Sequence, residues 1–402
     1  MTQSEALEIL KSGKNVFLTG EPGSGKTHTI GLFTEWLREQ GREYAVTAST
    51  GIAATHINGT TIHSWAGIGI KRETKNIDVN RFHEIMVKNI QRAKTLIIDE
   101  VSMLDATTID LVDFVLRELR AGWGAFGDIQ IVFVGDFFQL PPVVTDSTKT
   151  FFAFESDAWK KAAPVTCYLT EQHRQSDQVF LEILSSMRNG TTTPNHRKIL
   201  MEKVIAASKD ATILYTHNVD VDRVNDDELA KLGGETRTNR ASVSGIPFLV
   251  ERLMKSCLSP EMLRLKVGAR VMFTKNNFDV GYVNGTIGVV TRFRNGNPVV
   301  LTSWGEEIYP EPERWTFEEY GITKASFTQI PLRLAWAITV HKSQGMSLDE
   351  AVVDLSKAFE YGQGYVAISR VRSLSGLTLT GLNDKTFMMH PKVIEQDKIF
   401  RA

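Results

Sequence analysis

The run Gly20-Glu21-Pro22-Gly23-Ser24-Gly25-Lys26-Thr27 constrains this chain more than any other stretch. It fits the pattern Gly-x-x-x-x-Gly-Lys-Ser/Thr, follows a short apolar run at 15–19 and opens a helical stretch reaching about residue 40. Such a strand, glycine loop and helix belongs to α/β proteins with a buried parallel sheet. The glycines let backbone N–H groups converge on phosphates, and the helix N-terminus adds partial positive charge. In this reading Gly20, Pro22, Gly23, Ser24, Gly25, Lys26, Thr27 and His28 line a nucleotide site. Lys26 reaches the β and γ phosphates, and the Thr27 hydroxyl ligates Mg²⁺. The alternative is a plain glycine turn between strand and helix.

Further apolar runs at 44–48, 95–98 and 129–134 alternate with helical segments, as expected of parallel strands buried on both faces. The stretch 60–90 breaks this rhythm and becomes polar and basic, as an insertion would. Alternation resumes with a helix at 179–188, a strand at 212–215 and a helix at 219–232. Short β-type runs at 270–273, 286–293 and 298–302 then follow, with turn signals at Asn284-Gly285 and Asn295-Gly296. The α/β pattern returns at 330–333, 351–354 and 377–380. With 402 residues, two domains are expected, 1–175 and 176–402, the second carrying a β-rich insertion at 239–328.

Two acids, Asp99 and Glu100, end the strand run Leu96-Ile97-Ile98. Open α/β sheets bind ligands at the carboxyl ends of their strands, so these acids are expected to face the nucleotide. Asp99 would hold Mg²⁺, directly or through water, and Glu100 would orient and deprotonate the attacking water. Gly135-Asp136-Phe137-Phe138-Gln139 ends another strand in the same way. There Gln139 either senses the γ-phosphate or caps its loop.

Composition narrows the partners. The formal net charge is −1, so a nucleic-acid site would have to be a local concentration of charge. The two cysteines, Cys167 and Cys257, form no Cys-x-x-Cys pair, which fits a reducing compartment and neither a disulfide framework nor a zinc site. The polar, acidic start is unlike a targeting leader, and the apolar runs are strand-sized, so a cytoplasmic protein without membrane spans is expected.

These and later blocks together resemble the Pif (petite integration frequency) family of superfamily-one DNA helicases. Thr47-Ala-Ser-Thr50-Gly51-Ile-Ala-Ala54 and Gly59-Thr-Thr-Ile-His63-Ser64 look like its first DNA-contacting motifs. Asp99-Glu-Val-Ser-Met103 and Gly135-Asp-Phe-Phe-Gln-Leu-Pro-Pro142 resemble its second and third, and Leu169-Thr-Glu-Gln-His-Arg174-Gln175 its fourth. Leu334-Ala-Trp-Ala-Ile-Thr339-Val-His341-Lys342-Ser343-Gln344-Gly345 and Gly362-Gln-Gly-Tyr-Val-Ala-Ile-Ser369-Arg370 look like the fifth and sixth. Gln3 stands where the family has its adenine-reading glutamine.

The resemblance implies two RecA-like P-loop NTPase domains with ATP between them, a wedge insertion at about 60–90 and a small β-barrel insertion at about 239–328. It implies that Arg174 and Arg370 reach the phosphates, where a guanidinium fork suits developing phosphoryl charge. Gln344 and Gly345 join the nucleotide set. Thr50, Gly51, His63, Ser64, Thr339, His341 and Lys342 become DNA contacts; His63 could instead be a hydrogen-bonded structural histidine. Trp65 and Phe138 are read as core rather than as base-stacking platforms.

The activity implied is ATP-dependent movement 5′ to 3′ along single-stranded DNA with duplex unwinding, by a monomer, on DNA with a 5′ tail. G-quadruplex and RNA–DNA hybrid substrates are left open. The alternatives are a RecD-type helicase, a nucleotide-gated DNA-binding module without unwinding, and a phosphotransferase. The chain departs from the family at 120–128 and at Gln172-His173, away from its best-studied eukaryotic branch and towards a minimal core of bacterial or viral style.

Overall fold

A computed structural model of the chain describes residues 1–57, 59–69, 71–142, 151–172, 177–205, 212–216, 221–277, 279–319, 322–340, 343 and 347–401. The chain divides into two compact units, Met1–Thr191 with Met388–Ala402, and Thr192–Phe387. The first unit therefore includes the helix Gln178–Arg188 and regains the C-terminal helix Pro391–Arg401.

In the first unit, β1 (Val16–Gly20), β2 (Tyr44–Ala48), β3 (Thr60–Thr61), β4 (Thr95–Asp99), β5 (Gln130–Val134) and β6 (Val165–Leu169) form one sheet. The order is β3-β2-β4-β5-β1-β6, and every pairing is parallel. β1 and β5 are buried at every residue, which is why both read as apolar runs rather than as alternation. The helix Lys26–Glu39 turns Ile30, Phe33 and Leu37 onto this sheet, and Gln3–Lys11 adds Ala6 and Leu10. Parallel strands start at one edge and end at the other, so the carboxyl ends of β1, β4 and β5 share an edge.

The stretch at 60–90 begins as part of the sheet. Thr47 and Ala48 of β2 pair with Thr60 and Thr61 of β3. It then runs through the helices Ile62–Trp65 and Glu84–Arg92 with two short 3-10 turns between them. The divergent stretch 120–128 is a compact turn. Ala121, Phe126 and Asp128 take left-handed backbone conformations, and Arg120 donates to the carbonyls of Ile90, Gln91, Ala93 and Gly127. Trp123, at its apex, is 99% exposed.

The second unit opens with the helix Pro194–Met201, followed by β7 (Ile213–Tyr215) and the helix Val221–Lys231. Ten strands follow: β8 (Arg237–Arg240), β9 (Ser242–Gly245), β10 (Met262–Leu265), β11 (Arg270–Phe273), β12 (Ile287–Arg294), β13 (Asn297–Thr302), β14 (Glu307–Ile308), β15 (Glu313–Glu319), β16 (Ile322–Gln329) and β17 (Leu332–Leu334). They form antiparallel sheets in the orders β10-β8, β14-β13-β12-β11-β17 and β15-β16-β9. Asn295 and Gly296, with φ of 51° and 83°, close the β12–β13 hairpin across the pair Arg294–Asn297. Positive φ at both central residues is the primed turn that matches strand twist.

The chain then makes β18 (Ala337–Thr339), β19 (Ala351–Leu355) and β20 (Leu377–Leu382), which with β7 give a parallel sheet ordered β18-β7-β19-β20. Both units are thus built on parallel sheets, as the alternating pattern implied. No helix among the described residues is long and apolar enough to cross a membrane.

Candidate active site

The glycine loop leaves the carboxyl end of β1 and enters the helix Lys26–Glu39 through Gly25 at φ +85°, a conformation that disfavours a side chain. Space demands glycine as well, since a Cβ there would lie 2.3 Å from Gln3 Nε2. Gln3 therefore lies against the loop. Its Oε1 stands 2.8 Å from His28 Nδ1, and its backbone N–H donates to Glu171 Oε2 at 2.9 Å. A capping box between Thr2 and Glu5 fixes the start of the helix that carries it.

Lys26 folds back on the loop, with Nζ donating to the Gly20 and Glu21 carbonyls at 2.8 and 3.1 Å. Those carbonyls hold the ammonium against the loop whose backbone N–H groups would meet the phosphates. Ser24 is fully buried, and its Oγ has no hydrogen-bond partner among the described residues. Gln172 Nε2 donates to Glu21 Oε2 at 3.0 Å, tying the segment after β6 to the same loop.

At the end of β4, the Glu100 N–H donates to Asp99 Oδ1 at 2.8 Å. Glu100 itself has φ 51°, a left-handed conformation that costs energy for a non-glycine residue and turns its side chain off the strand line. Desolvation, with the Glu100 charge adding to it, raises the Asp99 pKa to about 7 against the lowering pull of the Glu100 N–H and Lys26. A half-buried carboxyl that its surroundings discourage from ionising fits a divalent cation, which would supply the missing positive charge.

β5 delivers Gly135 to the same edge, where the Gly135 N–H donates to the Leu18 carbonyl of β1 at 3.1 Å. The next four residues form a tight turn in which the Gln139 N–H donates to the Asp136 carbonyl at 2.9 Å. Gln139 is buried, and Phe138 is core, as read from the sequence.

The structure thus brings together, within the first unit, Gln3, the 20–28 loop, Asp99, Glu100 and Gln139. Thr50 and Gly51 follow β2, while His63 and Ser64 follow β3, its neighbour at the same edge. Thr50 Oγ1 accepts from the Ala53 N–H at 3.2 Å, and Ser64 Oγ meets Thr61 Oγ1 at 2.8 Å. Nearby in sequence, Lys71, Arg81 and His83 line an open cavity of about 470 Å³ with Gly67, Phe82 and Met86.

In the second unit, Thr339 ends β18 and is buried. Arg370 follows the helix Gln363–Ile368, donating through Nε to the Val366 carbonyl and through Nη2 to Ser369 Oγ, both at 2.9 Å. Arg174, His341, Lys342, Gln344 and Gly345 lie outside the described residues.

The family model for PIF1-like helicases matches residues 3–198, and that for the DNA helicase Pif1 2B domain matches residues 249–293. The chain is 43% identical to the ATP-dependent DNA helicase Pif1 of Psychrobacter sp. strain PRwf-1 over 100% of its own length and 71% of that protein. The chain belongs to the PIF1-like helicase family. Its class is that of the ATP-hydrolysing DNA helicases. It is also 40% identical to the Xenopus laevis ATP-dependent DNA helicase PIF1, covering 98% of this chain but 63% of that longer protein.

Among solved structures, Bacteroides sp. Pif1 in complex with ADP-AlF4 superposes with a TM-score of 0.89 at 31% identity, covering 99% of this chain and 96% of that one. Bacteroides Pif1 bound to single-stranded DNA superposes at 0.69, with 31% identity and coverage of 99% and 95%. The PIF1-like fold has two RecA-like domains, which accounts for a parallel sheet in each unit.

One buried contact at the third motif has no counterpart among the residues singled out from the sequence. Arg188, 1% exposed, ends the helix Gln178–Arg188, and its Nη2 lies 3.1 Å from Asp136 Oδ1 in the family's third motif. The signal was available: Phe180, Leu184 and Arg188 recur every fourth residue, which puts an arginine on the helix's apolar face.

Proposed function

We propose that this chain uses ATP hydrolysis to translocate 5′ to 3′ on single-stranded DNA and to separate duplex ahead of it. One observation carries the reading: the phosphate loop, the Asp99–Glu100 pair and the Gln139 turn converge at one sheet edge, in a chain whose relatives are named DNA helicases over its full length.

Each residue then has a task. Gln3 reads adenine beside Gly25. Gly20, Pro22, Gly23, Ser24, Gly25 and His28 shape the loop around the phosphates, with Lys26 donating to the β and γ oxygens. Thr27 and Asp99 would hold Mg²⁺, which supplies charge neutralisation to those oxygens. Glu100 orients the attacking water and takes its proton. Gln139 responds to the γ-phosphate, and Arg174 and Arg370 offer guanidinium forks to the charge that develops on it. Gln344 and Gly345 complete the nucleotide set.

Thr50, Gly51, His63, Ser64, Thr339, His341 and Lys342 contact DNA phosphates. The net charge of −1 does not oppose this, since recognition needs only a local track of donors. The protein acts as a monomer in the reducing cytoplasm, a setting consistent with two buried free thiols, Cys167 and Cys257.

ATP turnover measured with and without single-stranded DNA, followed by strand separation on 5′-tailed and 3′-tailed duplexes, tests the reading. DNA-stimulated turnover with unwinding from the 5′ tail is expected. Turnover indifferent to DNA would refute the motor, and unwinding from 3′ tails alone would refute the polarity.

A further inference from the structure

The chain passes between its units twice, at residues 191–192 and 387–388. Arg188 stands three residues before the first crossing, and its contacts run in two directions. Towards the nucleotide site, Asp136 Oδ1 accepts from Arg188 Nη2 at 3.1 Å and from the Phe138 N–H at 3.2 Å. The same guanidinium lies 4.2 Å from the centre of the Phe138 ring. One arginine therefore holds the turn that carries Gln139.

In the other direction, Arg188 Nη1 donates to Tyr168 Oη, as does Arg401 Nη2. Tyr168 Oη donates to Asp397 Oδ1 at 3.3 Å, and Arg401 Nε donates to Asp397 Oδ2 at 2.6 Å. Asp397 and Arg401 belong to the helix Pro391–Arg401, which begins just past the second crossing. Gly190, one residue before the first crossing segment, also lies close to that helix, since a Cβ there would meet Ile394 Cδ1 at 3.3 Å. Phe400 of that helix packs on Phe137 of the turn, with ring centroids 6.0 Å apart.

We propose that Arg188 is a positioning residue linking the Gln139 turn to both chain crossings, so that the presence of a γ-phosphate is transmitted to the segments between the units. The inference rests on Gln139 responding to the γ-phosphate. A rigid buried link suits this task, because a guanidinium that engages a carboxylate, an aromatic face and a phenol at once cannot follow one partner without shifting the others. Asp136 Oδ2, buried and without a hydrogen-bond partner among the described residues, leaves the carboxylate a second oxygen to offer if the turn rotates.

The test is hydrogen exchange on the full chain with Mg²⁺, alone and with ADP–aluminium fluoride, read at peptides spanning 186–194 and 386–394. Steady-state turnover on saturating single-stranded DNA accompanies it. In the unsubstituted protein both peptides change exchange on adding the analogue. Arg188→Lys keeps the charge and loses the fork; it is expected to abolish that change and lower kcat about tenfold or more, with KM for ATP within about threefold. Arg401→Ala, at a half-exposed position, is expected to leave DNA-free turnover intact while weakening the signal at 386–394 alone.

Arg188→Lys with the full exchange signal and full kcat would overturn the proposal. So would a loss confined to melting temperature or to KM, which is what a purely structural arginine would give. If the unsubstituted protein shows no nucleotide-dependent exchange at either crossing while hydrolysing ATP, the proposal falls and the γ-phosphate reading of Gln139 is left standing. If its signal is present and survives Arg188→Lys, the proposal alone falls.

Discussion

Gln3 Oε1 stands 2.8 Å from Nδ1 of His28, a residue twenty-five positions further along the chain on the helix that follows the phosphate loop. The contact presses a glutamine against Gly25, where any side chain would collide with it. An amide so placed has both a donor and an acceptor beside the nucleotide loop, which is what the edge of adenine requires.

Gln3→Ala is therefore expected to raise KM for ATP about tenfold, the worth of roughly one good hydrogen bond, and to leave kcat nearly unchanged. Discrimination between ATP and GTP should shrink by a similar factor. Initial rates with both nucleotides check this. An unaltered KM for ATP would remove Gln3 from base recognition.

Glu100 is held in a left-handed conformation at the end of β4, a strained arrangement that aims its carboxylate independently of Asp99. Glu100→Gln keeps size and shape and removes the proton acceptor. Turnover should fall by about 10² to 10⁴ while ATP affinity stays within a few-fold. Equilibrium binding of a fluorescent ATP analogue beside steady-state turnover separates the two. Unchanged turnover would exclude Glu100 as the base.

Asp99 predicts a pH effect of definite sign. Burial and the Glu100 charge raise its pKa to about 7, so the folded chain holds this proton more tightly than the unfolded one. Its contribution favours folding at pH below about 4 and is lost as the pH rises towards 7. Metal-free protein should thus lose stability relative to Asp99→Asn over that window, and Mg²⁺ should reduce the difference near neutrality. Denaturant midpoints of the two proteins from pH 4 to 8 decide it; parallel curves would refute the shift.

How much of this was legible depends on the local signal each element left. β4 and β5 could be read because burial on both faces makes them unbroken apolar runs, and Asp99, Glu100 and Asp136 stand out at their ends. β3 has two residues and β6 alternates in exposure, so neither made a run, although both pair in the central sheet. The hairpin at Asn295-Gly296 was readable because one dipeptide sets the turn type, whereas β15 and β16 are paired by tertiary context. Arg188 and Asp397 sit on helices whose pattern gives a buried face but not what lies against it. That Pro391–Arg401 packs on the first unit is a long-range fact that no local pattern encodes.

The divergent stretch after the helix Ala106–Arg120 yields a stability prediction. Asp113 Oδ2 accepts from Arg117 Nε at 2.8 Å and Oδ1 accepts from the Phe126 N–H at 2.6 Å. The Asp113 side chain is 5% exposed, and Phe126, left-handed and fully buried, has its N–H turned inward by that contact. Asp113→Ala would strand a buried N–H and remove the carboxylate opposite a guanidinium that still reaches solvent. The first loss costs about 1–3 kcal/mol and the second adds little, so about 2–3 kcal/mol of destabilisation is expected. The nucleotide loop and Asp99 belong to other strands, so ATP affinity at 20 °C should hold. Chemical denaturation and hydrogen exchange at Phe126 measure the effect. A change below about 0.5 kcal/mol, the usual range of surface substitutions, would show that the turn does not depend on Asp113.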